Sequence, residues 1–144
     1  MPIPALLENG LLPIGLHLAD MNQIAGRFGQ STARRKSLFE RLRVFVELAK
    51  HCGALRMFVN GSFVTAKPEP GDVDVVIWLG NKFRELLLKK DAKALLLQQM
   101  LLKRQPEEAF GVSDQEGWEV WLEFFSIFKQ DPKQRKGLIE VLFK

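Results

Sequence analysis

Two short runs rich in β-branched and aromatic residues, at 55–60 and 72–79, set the tightest limit on how this chain can fold. The second reads Asp-Val-Asp-Val-Val-Ile-Trp-Leu, a composition that favours extended backbone. Between the runs lies a loop holding Pro68, Pro70 and Gly71, residues that interrupt regular structure. Ahead of the first run, Leu38, Leu42, Phe45, Val46 and Ala49 recur at helical spacing. Ser31 or Thr32 is placed to cap that helix and Gly53 to end it. Asp20 is placed to cap a shorter helix over 21–28 that Gly29 closes. After the second run Gly80-Asn81 turns the chain. Residues 82–104 read as helix, with a break near Asp91 and an end at Pro106. Residues 118–128, aromatic and apolar with polar positions interleaved, predict a third strand. Residues 138–143 fit either a fourth strand or a closing helix. Helix, strand, strand, helix, strand and a final element describe an α+β domain, a small mixed β-sheet with helices packed on it.

The length of 144 residues fits one domain over 1–144 with one core. No stretch reaches the ~20 apolar residues of a membrane span. No basic residue precedes the apolar N-terminal stretch, so no secretory signal is expected. The single cysteine, Cys52, excludes an internal disulfide and any multi-cysteine zinc site, and a reducing cytoplasmic setting is expected. The net charge of +4 is mild, with its densest groups at Arg34-Arg35-Lys36 and 133–136. Dispersed charge of this kind is weak support for a nucleic-acid groove and suits a triphosphate ligand.

The chemistry concentrates at 57–77. Gly61 has no side chain to keep a ligand from the backbone. Neighbouring N–H groups and the Ser62 hydroxyl are suited to holding phosphate oxygens. Asp72 and Asp74 are two apart, so on a strand they share a face while Val73 and Val75 face the core. Two carboxylates on one face repel unless a cation sits between them. Oxygen ligands suit Mg²⁺ or Mn²⁺, and Mg²⁺ shares its shell with substrate phosphates. Glu119 and Glu123 are four apart on the expected third strand and so share one face there. Lys67 in the loop and Lys136 before Gly137 are candidate phosphate contacts. Arg34 and Arg35 are candidates to face the cleft or a partner; His17, Cys52 and the three tryptophans read as structural.

A strand ending in Gly61-Ser62, nine intervening residues, and Asp72-Val-Asp74 opening an apolar strand resemble the signature of the polymerase-beta-like nucleotidyltransferase superfamily. The wording of residues 60–72 also resembles a bacterial family of nucleotidyltransferase-like proteins of about this length. That likeness extends to Pro13-Ile-Gly-Leu-His17, Arg34-Arg35, Glu123-Phe124-Phe125 and Lys136-Gly137. It implies an enzyme that moves a nucleoside monophosphate, AMP first among them, from a nucleoside triphosphate to an acceptor hydroxyl. Asp72, Asp74 and Glu123 would be its catalytic and metal-binding carboxylates, with Glu123 also taking the acceptor proton. Gly61, Ser62, Lys67 and Lys136 would bind the nucleotide. The likeness leaves a protein side chain, a nucleic-acid end or a small molecule open as the acceptor, and a partner protein, modified as a toxin is by its antitoxin, is among the expectations. The competing expectation is an inactive domain of the same fold that grips a partner, with the third carboxylate as the discriminating feature.

Overall fold

The computed structural model describes residues 3–103, 108–128 and 131–143. Five strands form one mixed sheet: β1 (Leu16–Ala19), β2 (Arg56–Asn60), β3 (Asp74–Trp78), β4 (Glu108–Val112) and β5 (Leu138–Val141), in the spatial order β1-β5-β2-β3-β4. The central strands β5, β2 and β3 run antiparallel to their neighbours in that trio, and the outer pairs β1–β5 and β3–β4 are parallel. The α+β expectation therefore holds. Parallel neighbours need a long crossover, and between β3 and β4 it includes α3 (Asn81–Leu88) and α4 (Ala92–Lys103).

Alternation along the strands divides the core in two. Met57, Val59, Val75, Ile77, Ala109 and Ile139 face α1 (Met21–Phe28), α2 (Ala33–His51) and α4 through Ile24, Leu38, Leu42, Phe45, Ala94 and Leu97. Phe58, Val76, Phe110 and Leu138 face the opposite way, onto Trp118 and Phe125 of α5 (Gln115–Ser126). Asn60 and Asp74, paired in register, fall on the α5 face by the same alternation.

Several local expectations hold. Asp20 caps α1 in a reciprocal box with Gln23. Thr32 is the residue that caps α2, its hydroxyl accepting from the Arg35 N–H. Gly53 takes φ +69° beyond the end of that helix. The expected break near Asp91 is the turn between α3 and α4, where Lys90 has φ 59°. Arg104 and Pro106 lie outside the described residues. Residues 138–143 resolve to the strand alternative, as β5. Among the described residues no helix is long and apolar enough to cross a membrane.

One element is a correction. Residues 118–128 do not form a strand; they belong mostly to α5. The Asp114 carboxylate caps that helix by accepting from the Gly117 N–H at 2.8 Å. Trp118, Trp121 or Leu122, and Phe125 recur at three-to-four spacing, so the period outweighs the β-favouring aromatic composition. The strand beside β3 is β4 instead.

Asp91 joins two helices of the packed face. Its Oδ2 accepts from the Ala94 N–H at 2.9 Å and meets His51 Nε2 of α2 at 2.8 Å. The Ala94 N–H first, and His51 after it, hold the Asp91 carboxyl below its usual range. A depressed carboxylate adds stability that is present above its unfolded pKa of about 4 and is lost as pH falls through the folded value. Asp91→Asn keeps a capping oxygen and removes the charge. It should lower Tm at pH 7 by a few degrees and converge on the wild-type Tm toward pH ~3. A gap in the thermal melts unchanged across that span would show that the charge contributes nothing.

Candidate functional site

The strand β2 ends at Asn60, and the chain then makes a tight bend. Gly61 takes φ +94°, a conformation that glycine adopts without strain. A Cβ at this position would lie 3.0 Å from both the carbonyl oxygen and Oδ1 of Asp72, so the two segments meet only because residue 61 has no side chain. A single 3-10 turn follows at Ser62–Val64. The Ser62 N–H and hydroxyl each donate to Asp72 Oδ1 at 2.8 Å. The Ser62 oxygen in turn accepts from the Gly71 N–H at 2.9 Å, and the Phe63 N–H donates to the Asp72 carbonyl at 3.1 Å. Ser62 thus fixes one oxygen of Asp72. The other, Oδ2, has no hydrogen-bond partner among the described residues.

Asp72 precedes β3 and Asp74 opens it. Both line one cleft of about 750 Å³, with Asn60, Gly61, Ser62, Lys67, Lys136 and Phe128 also on its walls. The structure therefore brings together every expected site residue except Glu123. Asp74 is only 3% exposed and Asp72 is half-buried, so the cleft reaches from solvent to the edge of the core.

Glu123 stands elsewhere. It lies on α5, largely exposed, and its Oε1 pairs with Arg135 at 2.7 Å. It lines a separate groove of about 560 Å³ between α5 and the β1–β5 edge, which shares only Lys136 with the first cleft. Glu119 lines that groove too. The expectation that the third carboxylate sits at Glu123 on a neighbouring strand is corrected by the helical course of residues 115–126. The strand next to β3 is β4, and the residue opposite Asp74 in its register is Glu108. Sequence reading missed β4 because the strand is five residues long, just beyond Pro106, in a stretch assigned to no element. Phe128 was missed as well, since its place on the cleft wall depends on where the chain leaves α5.

Arg34 and Arg35 brace the loop rather than facing the cleft. Arg34 donates to the carbonyls of Pro70 and Gly71 at 2.9 and 2.7 Å. Arg35 is buried and donates to the carbonyls of Phe28, Phe63, Thr65 and Lys67 at 3.1, 2.6, 2.7 and 2.5 Å. The rings of Phe28 and Phe63 flank its guanidinium at 5.9 and 5.7 Å. Burial draws the Arg35 pKa down, and Glu69 opposes that shift. Two other motif residues bind the segment ahead of β1: His17 Nε2 lies 2.7 Å from the Pro13 carbonyl, and the Gly137 N–H donates to the Leu12 carbonyl at 3.0 Å.

Among the described residues no group of three His, Cys, Asp or Glu side chains is placed to hold a metal. The cleft offers two carboxylates, which match the one or two that Mg²⁺ takes from a protein when substrate oxygens complete its shell. Fold and cleft together define an α+β domain that gathers two aspartates and two lysines around a Gly-Ser bend. The chain belongs to DUF6932, a family of unknown function, whose family model matches residues 4–142. No curated protein and no solved structure matches it.

Proposed function

We propose that the cleft binds a nucleoside triphosphate with Mg²⁺, or Mn²⁺, and transfers its nucleoside monophosphate to an acceptor hydroxyl. The observation that carries this reading is that Asp72 and Asp74, joined to the Gly61-Ser62 bend, line one cleft with Lys67 and Lys136. Lys67 and Lys136 supply positive charge for the phosphates. Ser62 contributes by fixing Asp72 through Oδ1, which leaves Oδ2 available to a ligand. Asp72 and Asp74 would hold the metal, which supplies charge neutralisation on the phosphates. Phe128 offers a ring on which a base can stack. The acceptor in this reading is presented by a partner, a toxin paired with this chain as its antitoxin being one arrangement of that kind.

Calorimetric titration of ATP, GTP, CTP and UTP tests the reading directly. Binding should require Mg²⁺ and should be lost in Asp72→Asn/Asp74→Asn. Glu123→Gln, whose side chain lines the separate groove, should leave that binding unchanged. Nucleotide binding indifferent to the metal and to the aspartates removes the reading.

The placement of Glu123 favours a second reading. With that carboxylate outside the cleft, α5 presents Val120 and Phe124 at 60% and 52% exposure, an apolar face suited to gripping a partner protein without chemistry. Absence of metal-dependent nucleotide binding, together with loss of partner capture in Val120→Lys/Phe124→Lys, would select it.

A further inference from the structure

Asn60 is the last residue of β2 and the register partner of Asp74. Its side chain is on the cleft wall yet only 3% exposed. Its Oδ1 is buried and has no hydrogen-bond partner among the described residues. Buried amides are nearly always satisfied, because an unmade hydrogen bond at a dry site forfeits its hydration for nothing. An apolar side chain at this place would avoid that penalty. Asn60 therefore reads as a group held for a ligand that the protein meets in the cleft.

The surroundings say what kind of ligand. Directly opposed residues on antiparallel strands have Cβ atoms about 5 Å apart, so the amide stands beside Asp74. It adjoins Gly61, whose Cα face touches Asp72. A phosphate placed beside the two carboxylates would be repelled, whereas a cation there would be drawn to them. Rotation of the amide about its last torsion brings either end to the cleft, and a cation selects the oxygen. The choice of amide over carboxylate follows too. A third negative charge at this position would add repulsion whenever the site is empty, whereas a carbonyl oxygen contributes a ligand without charge and still suits Mg²⁺, Mn²⁺ or Ca²⁺.

We propose that Asn60 Oδ1 is a direct protein ligand of the divalent cation, completing with Asp72 and Asp74 a neutral-plus-two-carboxylate oxygen set at the mouth of the β2–β3 hairpin. The inference rests on the reading of the cleft as a cation site, and it assigns that site a ligand from β2, a strand that supplies neither carboxylate.

The test is Mn²⁺ affinity by electron paramagnetic resonance, with and without a non-hydrolysable ATP analogue, in the wild type, Asp74→Asn, Asn60→Leu and Asn60→Cys. Asn60→Leu should weaken Mn²⁺ about tenfold or more while raising the metal-free Tm by about 3 °C, as removal of an unsatisfied amide predicts. Asn60→Cys should shift preference from Mn²⁺ toward Cd²⁺ by about tenfold, because thiolate is a soft ligand. That shift would not arise from a merely structural role, and it decides the matter if the leucine variant folds poorly. Mn²⁺ weakened by Asp74→Asn yet unchanged by Asn60→Leu, or a cysteine variant with no gain in Cd²⁺ preference, overturns the ligand role and leaves the cation site standing. A wild type that takes up no Mn²⁺ under either condition overturns both.

Discussion

Arg35→Leu is expected to destabilise the protein by about 4 kcal/mol and to lower Tm by more than about 10 °C. The side chain is 4% exposed and donates to four backbone carbonyls, three of them in the segment that runs from Phe63 to Lys67. Hydrogen bonds from a charged donor contribute about 1.5–3 kcal/mol each in favourable cases, and they are not additive. The larger effect is what remains after truncation: carbonyls with no donor, two of them in the interior with Phe63 and Phe28. Leucine fills part of the volume and restores none of the bonds. Arg35→Lys is expected to recover less than half of the loss, because a single ammonium cannot span carbonyls on both sides of a planar fork. The damage should be local before it is global. Hydrogen exchange at Thr65 and Lys67 should accelerate more than at Val75 and Ile77, since the first pair is tied to the fold through Arg35 and the second through the sheet. Denaturant melts of the three proteins, with exchange measured on each, check the order. Wild-type stability in the lysine variant would mean that charge alone, without the fork, holds the loop.

The bracing by Arg34 and Arg35 was not legible in the sequence, which marks the pair only as candidates for the cleft or a partner; other features were. Local signals carried the helices: Asp20, Thr32 and Gly53 act on their own neighbours, and the Leu38–Leu42–Phe45–Ala49 period needs only one buried face. The β2–β3 hairpin was equally readable, because Gly61 and the two aspartates serve a close contact that sequence spacing reports. What failed depends on pairing. The strand β1 is four residues long and is held in place by β5, more than a hundred residues away. The strand β4 exists because β3 offers an edge after α4. Without knowledge of β4, the aromatic stretch at 118–128 seemed the natural third strand, and Glu123 followed it to the wrong element. The helical spacing of Trp118, Trp121 and Phe125 was the signal that distinguishes the two, and composition had been weighed above period. Asn60 illustrates a different limit. An asparagine before a glycine reads as a turn residue; only the burial of its side chain and its unpaired oxygen mark it as more.

Gly137→Ala is expected to be the most damaging single-methyl change in the chain, at about 4 kcal/mol or more. Gly137 has no positive φ that would account for it, so the requirement is space rather than backbone conformation. A Cβ there would fall 2.0 Å from the Pro13 carbonyl oxygen, 2.9 Å from His17 Nε2 and 3.0 Å from the Leu12 Cβ. The first contact is impossible and its partner is backbone, held in place on several sides. Pro13 has a fixed φ, its oxygen is engaged by His17, and the neighbouring carbonyls of Leu12 and Gly15 accept from the Gly137 and Leu138 N–H groups at 3.0 and 2.9 Å. Relief therefore requires breaking the start of the parallel β1–β5 pairing. His17→Ala offers a partial control: it removes the second clash and leaves the first, so the double variant should regain little. The consequence reaches the cleft as well, because Lys136 is the adjacent residue and stands on its wall. Under conditions where Gly137→Ala is still folded, nucleotide affinity should fall more than in Asp91→Asn, whose lesion lies between α2 and α4. Thermal melts and nucleotide titration of the two variants side by side separate the outcomes. A Gly137→Ala protein with wild-type Tm would show that the 11–17 segment moves aside without resistance, and that the first and last strands are joined far more loosely than these contacts imply.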